Sequence, residues 1–378
     1  MPVDRGVARS REPPPRGWPQ GFANGAANRK ALAVMASLRG ILPREVHALA
    51  WREGSARACL DEIKAGRAGS DADREWAARI APERVEAAAG ACGARMLTPE
   101  EEEYPPRLVD LDDPPAALFV RGRNLEELVP RIGVVGARNC SPAGREFAIE
   151  VGSGLGAAGV CVVSGAARGV DSAAHQGSLR AGGTTIAVLG SGIDVAYPRG
   201  SRRMLEDILE SGSIVSEYAP GVPAEPFRFP ARNRIVAGLS EAVVVVEGIG
   251  RSGSLITAEH ALEIGRSVFA VPGPVTSELA EAPLALIRDG ATMIRGVADL
   301  LADLGYDDPM PGARRLPLGL SDTERLVLET LAGRVVPSTL VDSTGLAFPE
   351  VMATLLSLEL RGLARNVGGR FERSGHAP

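Results

Sequence analysis

The stretch Arg131-Ile-Gly-Val-Val-Gly136-Ala-Arg138-Asn-Cys-Ser141-Pro142 joins a short apolar run to a turn and then to a helix start. The Val- and Ile-rich run is typical of a buried strand, Ser141 is a favourable N-cap, and Pro142 suits the first helical position. Further runs of this kind follow along the chain, separated by Ala-rich segments of helical length. Regular alternation of strands and helices predicts an α/β domain built on a parallel sheet.

We expect this domain to form an extended Rossmann-like, doubly wound, mainly parallel sheet. The seven predicted strands are Ile132–Val135, Val160–Val163, Thr185–Leu189, Ile214–Val215, Ala242–Val246, Ser267–Val271 and Thr292–Ile294. The core domain is expected over 97–306, beginning with an acidic, Pro-rich connector that we interpret as an exposed hinge.

Smaller modules are predicted on both sides of the core. Residues 1–29 predict a disordered tail, and 30–96 a small helical domain of the SAM or helix-hairpin-helix kind, with breaks near Gly40–Pro43 and Gly66–Ser70. After a linker over 307–319, a capping box at Ser321 opens a winged-helix-like domain over 320–378.

Composition limits the classes of function. A net charge of −5 and a pI near 5.6 exclude a polycation, so any nucleic-acid contact must come from a local group of arginines. Four cysteines without a C-x-x-C pair indicate reduced thiols, and no apolar run is long enough for a membrane span or a signal peptide. We therefore expect a cytoplasmic protein without a membrane partner.

In an open parallel sheet, ligands bind beyond the carboxyl ends of the strands, so the loops there hold the candidate residues. Small residues leave room for a ligand, arginines supply charge, and helix N-termini favour anions. The candidates for phosphate or single-stranded nucleic acid are Gly136, Arg138, Ser141, Ser164, Gly165, Arg168, Gly169, Arg228, Phe229, Arg232, Asn233, Arg234, Ser252, Gly253 and Thr257.

The segment Phe227–Arg234 combines arginines with aromatic rings. This composition suits the phosphates and unstacked bases of a single strand. The alternative is a buried loop whose arginines pair with Glu217 and Glu247. Asp171 and His175 lie four residues apart, on the same side of a predicted helix. They form either an acid/base pair or a capping Asp bonded to a buried His. We expect these four residues to support the site structurally.

Familiar catalytic and cofactor motifs are missing from the sequence. It contains no G-x-G-x-x-G after the first strand, no P-loop and no Cys/His cluster with zinc spacing. These absences predict a protein with no catalytic residues, no metal and no cofactor.

Six ordered blocks closely resemble the bacterial DNA-processing protein A family (DprA/Smf). They are Val135–Arg138, Ser164–Asp171 with His175, Tyr197-Pro198, Ser216-Glu217, Phe229–Arg234 and Ser252–Ala258. The resemblance implies that the family's G-S-R arginine is Arg138, and that its F-P-x-R-N-R block is Phe229, Arg232, Asn233 and Arg234. The family's serine is Ala137 here, a usual G-x-N is Ala282-Pro-Leu, and a usual basic residue is Pro226, with Arg228 as a substitute.

The resemblance also implies a function. Such a protein is a non-enzymatic homodimer that binds single-stranded DNA during natural transformation, protects it and helps load the RecA recombinase. In the C-terminal domain the candidate recognition helix Pro349–Leu360 is apolar and acidic, which favours a protein contact, whereas Arg365, Arg370 and Arg373 leave DNA contact open.

Two other functions compete with this one. Gly253–Glu259 loosely resembles a loop of phosphoribohydrolases, so a nucleotide-processing enzyme of that Rossmann-like group is the alternative, with Glu259 as its catalytic residue. A nucleotide-sensing adaptor that signals through its winged helix is a third hypothesis.

Overall fold

The computed structural model describes residues 14–250, 252–306, 320–331, 334–361 and 363–373. Within this part, all seven predicted strands are present, together with two that the sequence analysis missed. The strands of the main sheet are β1 (Ala94–Leu97), β2 (Leu118–Gly122), β3 (Arg131–Val135), β4 (Cys161–Ser164), β5 (Thr185–Leu189), β6 (Ser213–Ser216), β7 (Ala242–Val245), β8 (Ser267–Ala270) and β9 (Thr292–Met293).

The strand order β1-β2-β6-β5-β4-β3-β7-β8-β9 confirms the doubly wound fold. All neighbours from β6 to β9 pair in parallel, whereas β1 pairs antiparallel with β2, and β2 antiparallel with β6. The chain runs outward from β3 to β6 and then returns to place β7 on the other side of β3. The β3–β7 boundary is therefore the switch point, where ligands bind in such sheets.

The prediction of an exposed hinge in the connector is wrong in part. Its end forms β2, in which Leu118, Phe119 and Val120 are fully buried between β1 and β6. This apolar run is short and follows two prolines and several acids, so its composition resembled a loop. Burial came from its neighbours in the sheet.

Helices cover the sheet on both sides. The helices of the N-terminal part and the core are α1 (Gly25–Ala36), α2 (Pro43–Glu53), α3 (Ala56–Lys64), α4 (Asp71–Arg79), α5 (Pro82–Ala91), α6 (Pro142–Ala157), α7 (Val170–Arg180), α8 (Arg202–Ser211), α9 (Arg228–Leu239), α10 (Gly253–Glu263), α11 (Glu281–Arg288) and α12 (Val297–Asp303). Side chains alternate across β3, so that Val134 packs with α6 and α7 while Val135 packs with α9 and α10. None of the helices described is long and apolar enough to cross a membrane.

The N-terminal helices share one hydrophobic cluster with the sheet. Leu32 and Leu49 belong to the same buried cluster as Phe119 and Ile208. The predicted tail over 1–29 is also wrong where the structure describes it: the Trp18 and Phe22 rings stack at 4.4 Å, and α1 begins at Gly25. Residues 1–13 lie outside the described part, as does the predicted linker over 307–319.

The C-terminal module has the predicted winged-helix architecture. It consists of α13 (Asp322–Thr330), α14 (Pro337–Thr344), α15 (Phe348–Leu360), β10 (Ala364–Val367) and β11 (Arg370–Arg373). Its hydrophobic cluster is separate from the others and includes Val327, Leu355 and Phe371. The expected capping box is confirmed, because the Ser321 hydroxyl accepts the Glu324 N–H at 3.1 Å and the Glu324 carboxylate accepts the Ser321 N–H at 2.9 Å.

Candidate functional site

An open pocket of about 670 Å³ lies at the switch point of the sheet. We call it the edge pocket. Its walls come from the loops that follow β3, β4, β5, β6 and β7 and from the starts of α7, α9 and α10. The predicted residues that line it are Gly136, Arg138, Asp171, Phe229, Arg232, Asn233, Ser252, Gly253 and Thr257.

A cation and two aromatic rings meet at the mouth of the edge pocket. The exposed guanidinium of Arg138 lies 5.0 Å from the centroid of the Phe229 ring, and the centroids of the Tyr197 and Phe229 rings are 5.2 Å apart. Arg168, which is also exposed, lines an adjoining recess together with Arg138 and Tyr197. Rings and guanidinium groups thus share one open surface, the arrangement that stacks bases and binds phosphates.

Tyr197 is the functional candidate that the site prediction missed. Its side chain is 48% exposed, although it is a large aromatic residue. It follows β5 at the carboxyl edge of the sheet, and that position was the signal that could have identified it. Ile249, Ser254 and Ile256 also line the pocket without having been predicted.

Arg232 is buried beneath the pocket. Its Nη1 donates to the Val188 carbonyl, and its Nε has no hydrogen-bond partner among the described residues. A Cβ at Gly165 would lie 1.8 Å from Nη1, so only glycine leaves room for this guanidinium. Burial lowers the pKa of Arg232, and the carboxylate of Asp171 opposes that effect. Burial likewise raises the pKa of Asp171, against the attraction of Arg232.

The N-terminus of α6 does not offer the free anion-binding site that was predicted from its sequence. The carboxylate of Glu247 accepts the Ser141 N–H at 2.8 Å and the Ser141 hydroxyl at 2.6 Å. That hydroxyl also caps α6 by accepting the Gly144 N–H at 2.9 Å. The chain therefore supplies its own anion at this N-terminus, and Ser141 is engaged in capping.

Two of the three arginines in α9 are structural. Arg234 is 2% exposed and donates to Asp113 at 2.9 Å and to Glu217 at 2.7 Å. Arg228 is 1% exposed and donates to the backbone carbonyls of Pro223 and Arg39. The buried-loop hypothesis is thus right for Arg234 with Glu217, whereas Glu247, within the described residues, pairs with Ser141.

Burial strengthens the assignment of Glu217 as a support. Desolvation raises its pKa, and the ion pair and hydrogen bond with Arg234 oppose that rise. Charge attraction from Glu217 and Asp113 raises the pKa of Arg234 despite burial of its guanidinium, so Arg234 stays charged.

Asp171 and His175 do not form the expected pair. Asp171 accepts the Ala167 N–H at 3.4 Å, whereas His175 Nδ1 meets the Thr185 hydroxyl at 2.6 Å. Burial lowers the pKa of His175 to about 3, so its ring is neutral near pH 7. The helical spacing was right, but the tight packing of α7 on the sheet turns His175 toward β5.

The remaining predicted residues either allow a close approach of the backbone or form hydrogen bonds within the protein. Gly169 has a φ of +81°, and a Cβ there would lie 2.2 Å from the Ala137 carbonyl, so it allows two ligand-facing loops to touch. Ser164 is fully buried and donates to the Val134 carbonyl at 2.6 Å. Thr257 and Asn233 both donate to the Gly253 carbonyl, at 3.2 and 2.9 Å.

The C-terminal module shows little that would read DNA bases. On α15, Phe348, Leu356 and Leu360 are exposed, and the first turn carries Glu350. Arg365 on the hairpin is ion-paired with Glu372.

The described ranges give no support for a metal centre or for a phosphoribohydrolase active site. They contain no group of three His, Cys, Asp or Glu side chains that could hold a metal ion. Glu259, the proposed catalytic residue of the alternative function, is exposed on α10 and does not line the edge pocket.

Comparison with known proteins adds an independent line of evidence. The family description "DNA recombination-mediator protein A" matches residues 95–305, and "DprA winged helix domain" matches residues 311–370. Protein Smf of Escherichia coli K12 is 38% identical over 287 residues, covering 74% of this chain and 77% of that protein. DNA processing protein DprA of Streptococcus pneumoniae R6 is 45% identical over 204 residues, covering 54% and 72%.

Solved structures agree with the sequence matches. DprA from Streptococcus pneumoniae superposes with a TM-score of 0.58 at 37% identity, covering 65% of this chain and 86% of the other. DNA processing protein A from Helicobacter pylori, described for its single-stranded DNA binding mode, superposes with a TM-score of 0.51 at 27% identity, covering 57% and 96%. Because the family description matches more than half of the chain, and because relatives 38% identical span most of it, the chain belongs to the DNA recombination-mediator protein A (DprA/Smf) family.

Proposed function

We propose that this protein binds single-stranded DNA in the edge pocket. The observation that carries the proposal is the contact of Arg138 with Phe229, beside Tyr197 and Arg168, on an open surface at the switch point. Guanidinium groups would bind phosphates, and the rings would stack on unpaired bases. The Helicobacter pylori relative, described for its single-stranded DNA binding, supports the same ligand class here.

The exposed and buried arginines have different roles in this proposal. Arg138 and Arg168 contact phosphate directly, because their side chains are exposed at the pocket. Arg232 contributes positive charge from below, and Arg228 and Arg234 hold α9 in place. Gly136, Ser252, Gly253, Asn233 and Thr257 shape the wall along which the strand lies.

The proposal extends to the biological role of the family. The protein protects incoming single-stranded DNA in the cytoplasm during natural transformation, helps load RecA and acts as a homodimer. It needs no catalytic residue for this task. Stimulation of RecA filament formation on DNA coated with a single-strand binding protein tests the loading role, and a sizing column tests the dimer.

The decisive experiment measures oligonucleotide affinity against salt concentration. A double variant, Arg138→Glu with Arg168→Glu, should weaken binding of an oligo-dT strand, since each charged hydrogen bond that it removes is worth about 1.5–3 kcal/mol. The slope of log K against log salt should flatten by about 0.7 for each phosphate that the variant no longer neutralises.

A control at another exposed arginine separates this effect from charge reversal elsewhere on the surface. Arg295 is exposed, pairs with Asp299 and lies outside the edge pocket. Arg295→Glu should therefore bind almost as the unsubstituted protein does. Wild-type affinity and slope in the double variant, or an equal loss in Arg295→Glu, would overturn the proposal.

A further inference from the structure

A second, smaller cavity lies between the N-terminal helices and the core domain. Its volume is about 40 Å³, and it shares no lining residue with the edge pocket. We call it the junction cavity. One wall comes from the N-terminal part, including Trp18, Met35 and Ile41, and the other from the core, including Ala117, Glu217 and Tyr218.

Three residues that line this cavity each have a buried polar atom without a hydrogen-bond partner in the described part of the chain. Among the described residues, seven buried side-chain polar atoms are unpaired, and three of them are Trp18 Nε1, Glu217 Oε2 and the Tyr218 hydroxyl. All three residues line the junction cavity. Buried polar groups without partners cost free energy and are rare in folded proteins, so three around one cavity indicate an occupant that pairs with them.

The unpaired atoms define the hydrogen-bonding groups of that occupant. The Trp18 N–H needs an acceptor, the Glu217 oxygen needs a donor, and the Tyr218 hydroxyl accepts either. A hydroxyl or a primary amide supplies both functions within a few ångströms. The rest of the wall is mainly aliphatic, with Met35, Ile41 and Ala117 among its residues, and suits a short hydrocarbon group.

The charges around the junction cavity and its volume restrict the chemical class of the occupant further. An anion would face the Glu217 carboxylate, and a cation would face the Trp18 N–H and the guanidinium of Arg234, which donates to the other Glu217 oxygen at 2.7 Å. A cavity needs only about 10–15 Å³ for one water, so 40 Å³ admits about three waters or one polar molecule of about three or four non-hydrogen atoms.

We propose that the junction cavity is a binding site for a small neutral molecule that carries a hydroxyl or primary amide on a short aliphatic group. Because its two walls belong to the N-terminal helices and the core, the occupant joins the two parts. Binding to the folded state alone raises the unfolding temperature roughly in proportion to the logarithm of one plus the probe concentration divided by Kd.

The test uses the full-length protein without DNA and four probes with one carbon skeleton. Ethanol and acetamide should each raise the unfolding midpoint along a logarithmic curve, by about 3 °C near ten times the Kd. Acetate and ethylammonium should produce no such curve. A linear response to the neutral probes, or an equal logarithmic rise with the charged ones, would overturn the proposal.

Two tyrosine variants make the test specific. Tyr218→Phe removes an unpaired hydroxyl, so the midpoint without probe should be unchanged or higher, and the probe Kd should rise at least about fivefold. Tyr104→Phe is the matched control, because its buried hydroxyl donates to the Pro115 carbonyl at 2.8 Å and it does not line the cavity. It should lower the midpoint and leave the probe Kd unchanged.

A structure of the protein soaked with acetamide gives the final check. The amide should lie within hydrogen-bond distance of Trp18 Nε1 and Glu217 Oε2. Ordered waters alone at those atoms, with an unchanged probe Kd in Tyr218→Phe, would refute the site.

Discussion

The guanidinium of Arg138 lies 5.0 Å from the centroid of the Phe229 ring, and this contact joins the loop after β3 to the first turn of α9. A cation over a ring face is an attractive contact, which holds the exposed Arg138 near the pocket. A base that stacks on Phe229 must use another part of the ring or displace the guanidinium. DNA binding and the Arg138–Phe229 contact are therefore coupled in our proposal.

The first prediction concerns the Phe229 ring. Phe229→Leu should weaken single-stranded DNA binding by about 1–3 kcal/mol, roughly 5- to 150-fold, because one stacked base loses its platform. The slope of log K against log salt should stay the same, since no charge is removed. Fluorescence anisotropy with a labelled oligonucleotide measures both. Phe227→Leu is the control, because Phe227 packs on Arg228 and does not line the edge pocket; equal losses in both variants would contradict a stacking role.

The second prediction concerns the space under Arg232. Gly165→Ala would place a Cβ 1.8 Å from the Arg232 guanidinium and force it to move. We expect a loss of about 1–3 kcal/mol in the free energy of unfolding, together with weaker oligonucleotide binding. Urea unfolding and anisotropy measure the two effects. Gly90→Ala is the control, since no atom lies within 4 Å of the added Cβ on the exposed face of α5. Stability equal to that of the control would show that Gly165 is not needed for this packing.

The third prediction concerns the buried ion pairs of Arg234. Arg234→Met leaves Glu217 and Asp113 without their cation, and removal of one partner from a buried pair costs about 3–5 kcal/mol of unfolding free energy. Arg295→Met breaks an exposed pair with Asp299 that solvent screens, so it should lower the free energy of unfolding far less. Urea denaturation curves of both variants provide the comparison. If Arg234→Met were as mild as Arg295→Met, the network would not be the support that we infer.

The fourth prediction concerns pH. Burial lowers the pKa of His175 to about 3, from an ordinary value near 6.5. Below pH 6.5 the unfolded chain binds a proton that the folded protein does not, so His175 makes stability fall as pH decreases from about 6.5 toward 3. The slope due to this group is at most about 1.4 kcal/mol per pH unit.

His175→Asn should remove that part of the slope while keeping a donor for the Thr185 hydroxyl. The free energy of unfolding, measured in urea between pH 7 and pH 4.5, gives the slope for each protein. His260→Asn, on the partly exposed side of α10, is the control. An unchanged slope in His175→Asn would mean that the buried ring is protonated in the folded state.

Much of the fold was predictable because its signals are local. Runs such as Thr185–Leu189 and Ala242–Val246 are apolar and β-branched, and such residues form buried strands wherever helices cover both faces of a sheet. The short strand at Leu118–Gly122 was missed because its neighbours in sequence are prolines and acids, while its burial depends on pairing with β6, nearly 100 residues later.

Local patterns in the sequence were enough to place arginines, small residues and rings at the carboxyl edge of a parallel sheet, because strand direction sets where each loop begins. Which of those side chains are exposed depends on how distant segments pack together. Arg138 and Arg168 lie in loops and reach solvent, whereas Arg234 meets Asp113, 121 positions earlier, across the core. Glu247 reaches Ser141 in the same way, from 106 positions away. Burial and pairing of this kind depend on contacts between distant segments, and no pattern within one loop contains them.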